Sequence, residues 1–125
     1  MFWKLHKIRT TLIVSIILVI SACTSTPLIV QPKVSENSAV LSLYESAQYL
    51  TSSGELEQAK SQLQRALRIE SQNAWLWYEL AIVHNEEGDT EKALNIAARA
   101  TSYATDKNLQ KHLAIFIREL ESQQE

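Results

Sequence analysis

Apolar and polar positions change rhythm along this chain. From Thr11 to Ile20 the residues are apolar almost without a break, TLIVSIILVI, whereas from Thr24 to about Ser38 no period is present and both prolines, Pro27 and Pro32, fall in that stretch. From Val40 onward the period is helical. Trp77, Leu80, Ala81 and His84 follow i, i+3, i+4, i+7 spacing and line one helical face, and Ala59, Leu63, Ala66 and Leu67 recur at helical spacing in the same way. Gly54 and Gly88 stand where a helix end favours a residue in the left-handed conformation. The pattern predicts helices over about 39–52, 55–70, 74–87 and 90–104. After Asp106, a suitable N-cap, a fifth helix is predicted over 107–122, with Leu109, Leu113, Phe116, Ile117 and Leu120 as its apolar stripe.

The helical part repeats itself at a period of 34 residues. Aligning 40–73 with 74–107 pairs Tyr44 with Tyr78, Glu45 with Glu79, Ala47 with Ala81, Gly54 with Gly88, Glu57 with Glu91, Ala59 with Ala93, Arg65 with Arg99 and Ala66 with Ala100. These residues resemble the tetratricopeptide repeat (TPR). In the second copy Trp77, Leu80, Ala81, Gly88, Ala93 and Ala100 occupy the family's Trp, Leu, small, Gly, Ala and Ala positions. The first copy is weaker: Ala47, Gly54, Ala59, Leu63 and Ala66 match, while Leu43 stands for the Trp, Ser46 for the Leu and Leu50 for the Tyr. Other departures are His84 at the tyrosine position, Ala97 at the large aromatic position, and Ser71 and Thr105 at the closing proline. Ala97 implies a slimmer packing layer. Continuing the register places Lys111 at the Trp position and Arg118 at the Tyr position, so the fifth helix is a cap for the open end and not a third repeat. The fold class this implies is all-α: an α-solenoid of two TPR helix-turn-helix repeats and a C-terminal capping helix, preceded by a signal peptide and a flexible tether.

Expectations for the N-terminus rest on a different chemistry. The apolar run is well short of the roughly 20 residues that cross a bilayer as a helix, and it follows the basic stretch FWKLHKIR, as in a secretory signal peptide. Ile20-Ser21-Ala22-Cys23 resembles the lipobox of bacterial lipoproteins, with an aliphatic residue at −3, small residues before the cleaved bond and Cys at +1. The resemblance implies cleavage after Ala22 and acylation of both the Cys23 thiol and the new amino group. More than one acyl chain gives stable anchorage where a single chain is marginal. An uncleaved anchor with an idle cysteine is the alternative. Thr24 rather than Asp at +2 implies, by the sorting rule of enteric-type bacteria, the outer membrane with the domain facing the periplasm. The expected organisation is thus a signal peptide over 1–22, a lipidated N-terminus and tether over 23–38, and a TPR domain over 39–123. Leu28-Ile29-Val30 interrupts the polar tether, and either the lipid surface or the domain would suit it.

Charge and composition narrow the function. The chain carries −2 overall, and residues 1–22 hold Lys4, Lys7 and Arg9 with no acid, so the remainder stands at −5. An acidic body argues against nucleic acid, whose phosphates need a basic face. Catalysis needs a nucleophile with a base, or a metal with its ligands. The chain offers one thiol, expected to be acylated, and three scattered histidines, His6, His84 and His112. No enzyme, cofactor or metal is therefore expected.

By resemblance, the concave face of the repeats binds protein or peptide. The groove positions are Leu41, Tyr44, Gln48 and Thr51 in the first helix and Trp75, Tyr78, Ile82 and Asn85 in the third, with Leu109, His112 and Phe116 from the cap. The alternative is that Trp75 and Tyr78 simply pack on the first and fifth helices. The carboxylate clamp of chaperone-binding members uses Lys, Asn and Arg there. Tyr44, Gln48 and Asn85 replace them, so an acidic C-terminus is not the expected ligand. Glu79, Glu86, Glu87, Asp89 and Glu91 are expected to form an exterior acidic patch, a solvated surface in the first reading and a site for a basic partner in the alternative. The expectation is a lipid-anchored adaptor in envelope assembly, with homo-oligomerisation through the groove as the alternative and an enzyme accessory module as a third reading. Larger repeat lipoproteins recruit peptidoglycan enzymes or help to build pili and secretion machines, which gives the class of client by analogy only.

Overall fold

A computed structural model describes residues 33–124, which contain five helices: α1 Ser38–Ser52, α2 Leu56–Ile69, α3 Ala74–Glu86, α4 Thr90–Tyr103 and α5 Lys107–Ser122. Cys23, the expected signal peptide and most of the expected tether lie outside the described residues.

Local chemistry sets the helix ends. Asn37 Oδ1 accepts from Ala39 N at 2.9 Å, Asn73 Oδ1 from Trp75 N at 3.0 Å, Asp89 Oδ1 from Lys92 N at 3.1 Å and Asp106 Oδ1 from Asn108 N at 2.7 Å. Each bond satisfies an amide that the first turn of a helix leaves without a partner. The two glycines have φ of 77° and 82°. Beyond them, Glu55 N donates to Leu50 O at 2.9 Å and Asp89 N to His84 O at 3.0 Å, the closing bond of a Schellman turn. The period read from residue types is thus present in the hydrogen bonds.

Packing is sequential. Each helix packs on the next, and α1–α3 and α3–α5 make lighter contacts across the inner face. Val40, Tyr44, Ala47, Ala59, Leu63, Ala66, Leu67, Leu76, Leu80 and Val83 are buried in one core cluster. Ala74, Ala81, Ala97, Ala100, Ala104, Leu109 and Leu113 form a second, and Trp75, Trp77 and Ile96 touch both. Alanines with no exposed surface, Ala47, Ala59, Ala66, Ala81, Ala93, Ala97 and Ala100, fill the crossings and let the backbones approach closely. The fully buried Leu63, Leu76, Leu109, Leu113 and Leu120 supply the volume. Truncating any of them to alanine should cost about 2–5 kcal/mol.

The chain is packed before the first helix begins. Val34 is buried, its carbonyl accepts from Asn73 Nδ2 at 2.8 Å, and Ser35 Oγ donates to Glu70 at 2.6 Å. Residues 34 and 35, read as tether from their composition, are therefore held by the α2–α3 turn. Leu109 also departs from expectation: it belongs to the core and not to the groove.

Candidate functional site

The α1–α3–α5 side of the solenoid brings together most of the residues expected in a groove. Trp75 and Tyr78, one turn apart on α3, meet edge to face with ring centroids 6.3 Å apart. From α5, His112 lies 6.3 Å from Trp75, and Phe116 lies 5.6 Å from Tyr78 at an interplanar angle of 86°. Edge-to-face geometry sets the positive rim of one ring against the negative face of another. Trp75, Tyr78 and Phe116 are half-buried and His112 is exposed. The four rings therefore hold each other in place and still present surface to solvent. Ile82 and Asn85, further along α3, are also half-buried.

On the α1 side the arrangement is polar. Tyr44 is buried, so its ring belongs to the core. Gln48 is exposed, and its Nε2 donates to the Tyr44 hydroxyl at 2.8 Å and to Glu79 Oε2 at 3.2 Å. Glu79, expected in an exterior acidic patch, is instead only 6% exposed. Trp75, Tyr78, Glu79 and Ile82 themselves follow i, i+3, i+4, i+7 spacing, a signal in the sequence that places this carboxylate on the groove stripe. Burial pushes the Glu79 carboxyl above the usual carboxylate range, partly offset by the Gln48 and Tyr44 hydrogen bonds. The Tyr44 and Tyr78 phenols are raised, first by burial and then by the neighbouring Glu79 charge; Glu119 of α5 adds to the effect on Tyr78.

The opposite side carries a second polar group of residues. His84, at the family's tyrosine position, is 5% exposed, with Nδ1 3.0 Å from Glu87 Oε2 but without an aligned hydrogen bond. Lys60 joins Glu57 and Glu87, tying α2 to the end of α3. Burial and the nearby Lys92 and Lys60 charges hold the His84 imidazole below its ordinary range, against the pull of Glu87 and Asp89. A depression of about 360 Å³ lined by Lys60, Gln64, Leu80, His84, Lys92 and Ile96 lies here. Trp77, the packing tryptophan, sits half-buried; its Nε1 donates to Ser71 O at 2.8 Å, and the Arg99 guanidinium lies 4.8 Å from its ring centroid.

The tetratricopeptide repeat model matches residues 50–114, from the last turn of α1 into the middle of α5. The chain belongs to the tetratricopeptide repeat family. The match begins after most of α1, the helix whose residues depart furthest from the family pattern. Among solved structures, the chain is similar to the globular C-terminal domain of P. aeruginosa LpoP at a TM-score of 0.68 and 33% identity, covering 72% of this chain and 86% of that one. No curated protein sequence matches. The TPR scaffold presents repeated helix faces to protein partners, and the identity of a partner lies in the residues those faces carry.

Proposed function

We propose that this protein is an envelope lipoprotein, anchored through acylated Cys23 in the outer membrane and facing the periplasm, whose TPR groove binds a protein client. The ring cluster of half-buried Trp75, Tyr78 and Phe116 with exposed His112 carries the reading, because aromatic side chains fixed in place but open on one side are the usual anchors of a protein interface. Gln48, Asn85 and Ile82 extend the groove, with the Tyr44 hydroxyl beneath Gln48. The lipobox supports the anchor. Likeness to the LpoP C-terminal domain supports a globular TPR domain as the binding unit, and the analogy with larger repeat lipoproteins supports a client among the enzymes that build peptidoglycan. In this role the protein positions or regulates an enzyme and performs no reaction of its own, so no cofactor is required.

A photo-crosslinking residue in place of Trp75, activated in living cells, tests the groove directly. A crosslink to a peptidoglycan-synthesising enzyme, lost when Tyr78→Ala is added, is the expected result. Crosslinking only to a second copy of the chain would instead favour the homo-oligomer, and sedimentation would then show a dimer at micromolar concentration. Absence of any crosslink from position 75 would move the site elsewhere. For the anchor, mass spectrometry should find acylated Cys23 at the N-terminus, and an intact Met1 would refute it.

A further inference from the structure

Glu79 is the one buried carboxylate among the described residues, and nothing positively charged balances it. Its hydrogen-bond partner is neutral: the Gln48 amide at 3.2 Å, itself bonded to the Tyr44 hydroxyl. Among the described residues the ion pairs engage Glu36, Glu57 and Glu87, and none engages Glu79 or Glu119. Glu79 follows Tyr78 on α3, and exposed Glu119 stands three residues after Phe116 on α5, so a carboxylate flanks each of the two rings that meet at 5.6 Å. The expected groove positions carry no lysine or arginine.

We infer that the groove holds a cationic side chain of its client, an arginine or lysine flanked by apolar residues, with Glu79 as its counter-charge and the Trp75–Tyr78 rings as its walls. This rests on the proposed groove and adds the chemistry of what enters it. Gln48 is the replaceable part of the floor: it is exposed, and its amide gives Glu79 only a neutral hydrogen bond. A guanidinium offers the same N–H donors with a full charge, which makes shorter and roughly twice as strong bonds. The faces of Trp75 and Tyr78 attract the same cation through their ring quadrupoles. Exposed Glu119, on the α5 helix that carries Phe116, adds a second carboxylate at the rim and draws the cation in. An acidic peptide end meets the opposite: two uncompensated carboxylates.

The test uses the full chain in detergent and short fluorescent peptides that share one leucine and phenylalanine framework and differ only in a central arginine, citrulline or glutamate. Anisotropy titrations should show the arginine peptide binding about tenfold tighter than its neutral citrulline isostere, and the glutamate peptide weakest. Glu79→Gln should erase the arginine preference to within about twofold while keeping citrulline binding. Glu119→Gln should reduce it partially, and Gln48→Ala should preserve it. Equal binding of arginine and citrulline by the wild type, an arginine preference that survives Glu79→Gln, or no binding of any peptide would overturn the inference. The groove itself is judged separately with Trp75→Ala/Tyr78→Ala. If the wild type binds all three peptides alike and this variant loses them all, the groove stands and the cation site falls; if the variant keeps them all, the groove reading falls as well.

Discussion

Replacing Gly88 by alanine isolates a single physical term. At Gly88 φ is 82°, and a Cβ built there meets no atom within 4 Å, so a side chain would have room and the only penalty is conformational. An L-residue in the left-handed region costs roughly 1–2 kcal/mol, against which alanine recovers about 0.4–1 kcal/mol by restricting the unfolded chain. The balance is a loss of about 1 kcal/mol, which lowers Tm by about 4–8 °C for a domain of this size. Gly54, at φ 77° and equally free of neighbours, should behave the same way, and the double substitution should cost the sum. Thermal and urea unfolding followed by circular dichroism at the helical band would measure all three. Asparagine, which tolerates the left-handed region, should be milder than alanine at both positions. A neutral Gly88→Ala, or an asparagine variant as damaging as alanine, would refute the conformational account. A loss well above the sum in the double variant would show that the two turns are coupled through α3.

Two further outcomes follow from the packing. Ala97 has no exposed surface in a layer built of alanines, so Ala97→Phe, which restores the family's large aromatic, should destabilise by about 1–3 kcal/mol through overpacking; the same change at exposed Ala98 should stay within about 0.5 kcal/mol in denaturant titrations. His84 is held below its ordinary pKa, so the unfolded chain takes up this proton before the folded one does. Its contribution to stability is therefore fully present above the ordinary histidine range and is lost as pH falls from there toward the folded value. His84→Phe should flatten unfolding free energy against pH in that window; an unchanged slope would show that the fold does not shift this imidazole, and a steeper one that Glu87 holds it protonated.

The helices were legible because a solenoid writes its structure locally. Asn37, Asn73, Asp89 and Asp106 cap helices within a few residues of themselves, and Gly54 and Gly88 close them, so the expected limits of 39–52, 55–70, 74–87, 90–104 and 107–122 fall within one residue of those observed. What the residues could not display is how α1, α3 and α5 meet across the inner face. An acidic run usually faces solvent, but Glu79 is buried and bonded to Gln48, more than thirty positions away on another helix. The ring contacts of Trp75 with His112 and of Tyr78 with Phe116 likewise depend on how α5 settles on α3, which the repeat register leaves open because α5 departs from it at Lys111 and Arg118. Yet the buried carboxylate and the ring cluster share one stripe, 75, 78, 79 and 82, of the helix that lies at the centre of the packing order. A scaffold selected for stability alone would put an apolar residue where Glu79 stands. A buried charge without a counter-charge weakens the free domain, and a partner that brings the missing cation turns that cost into selectivity.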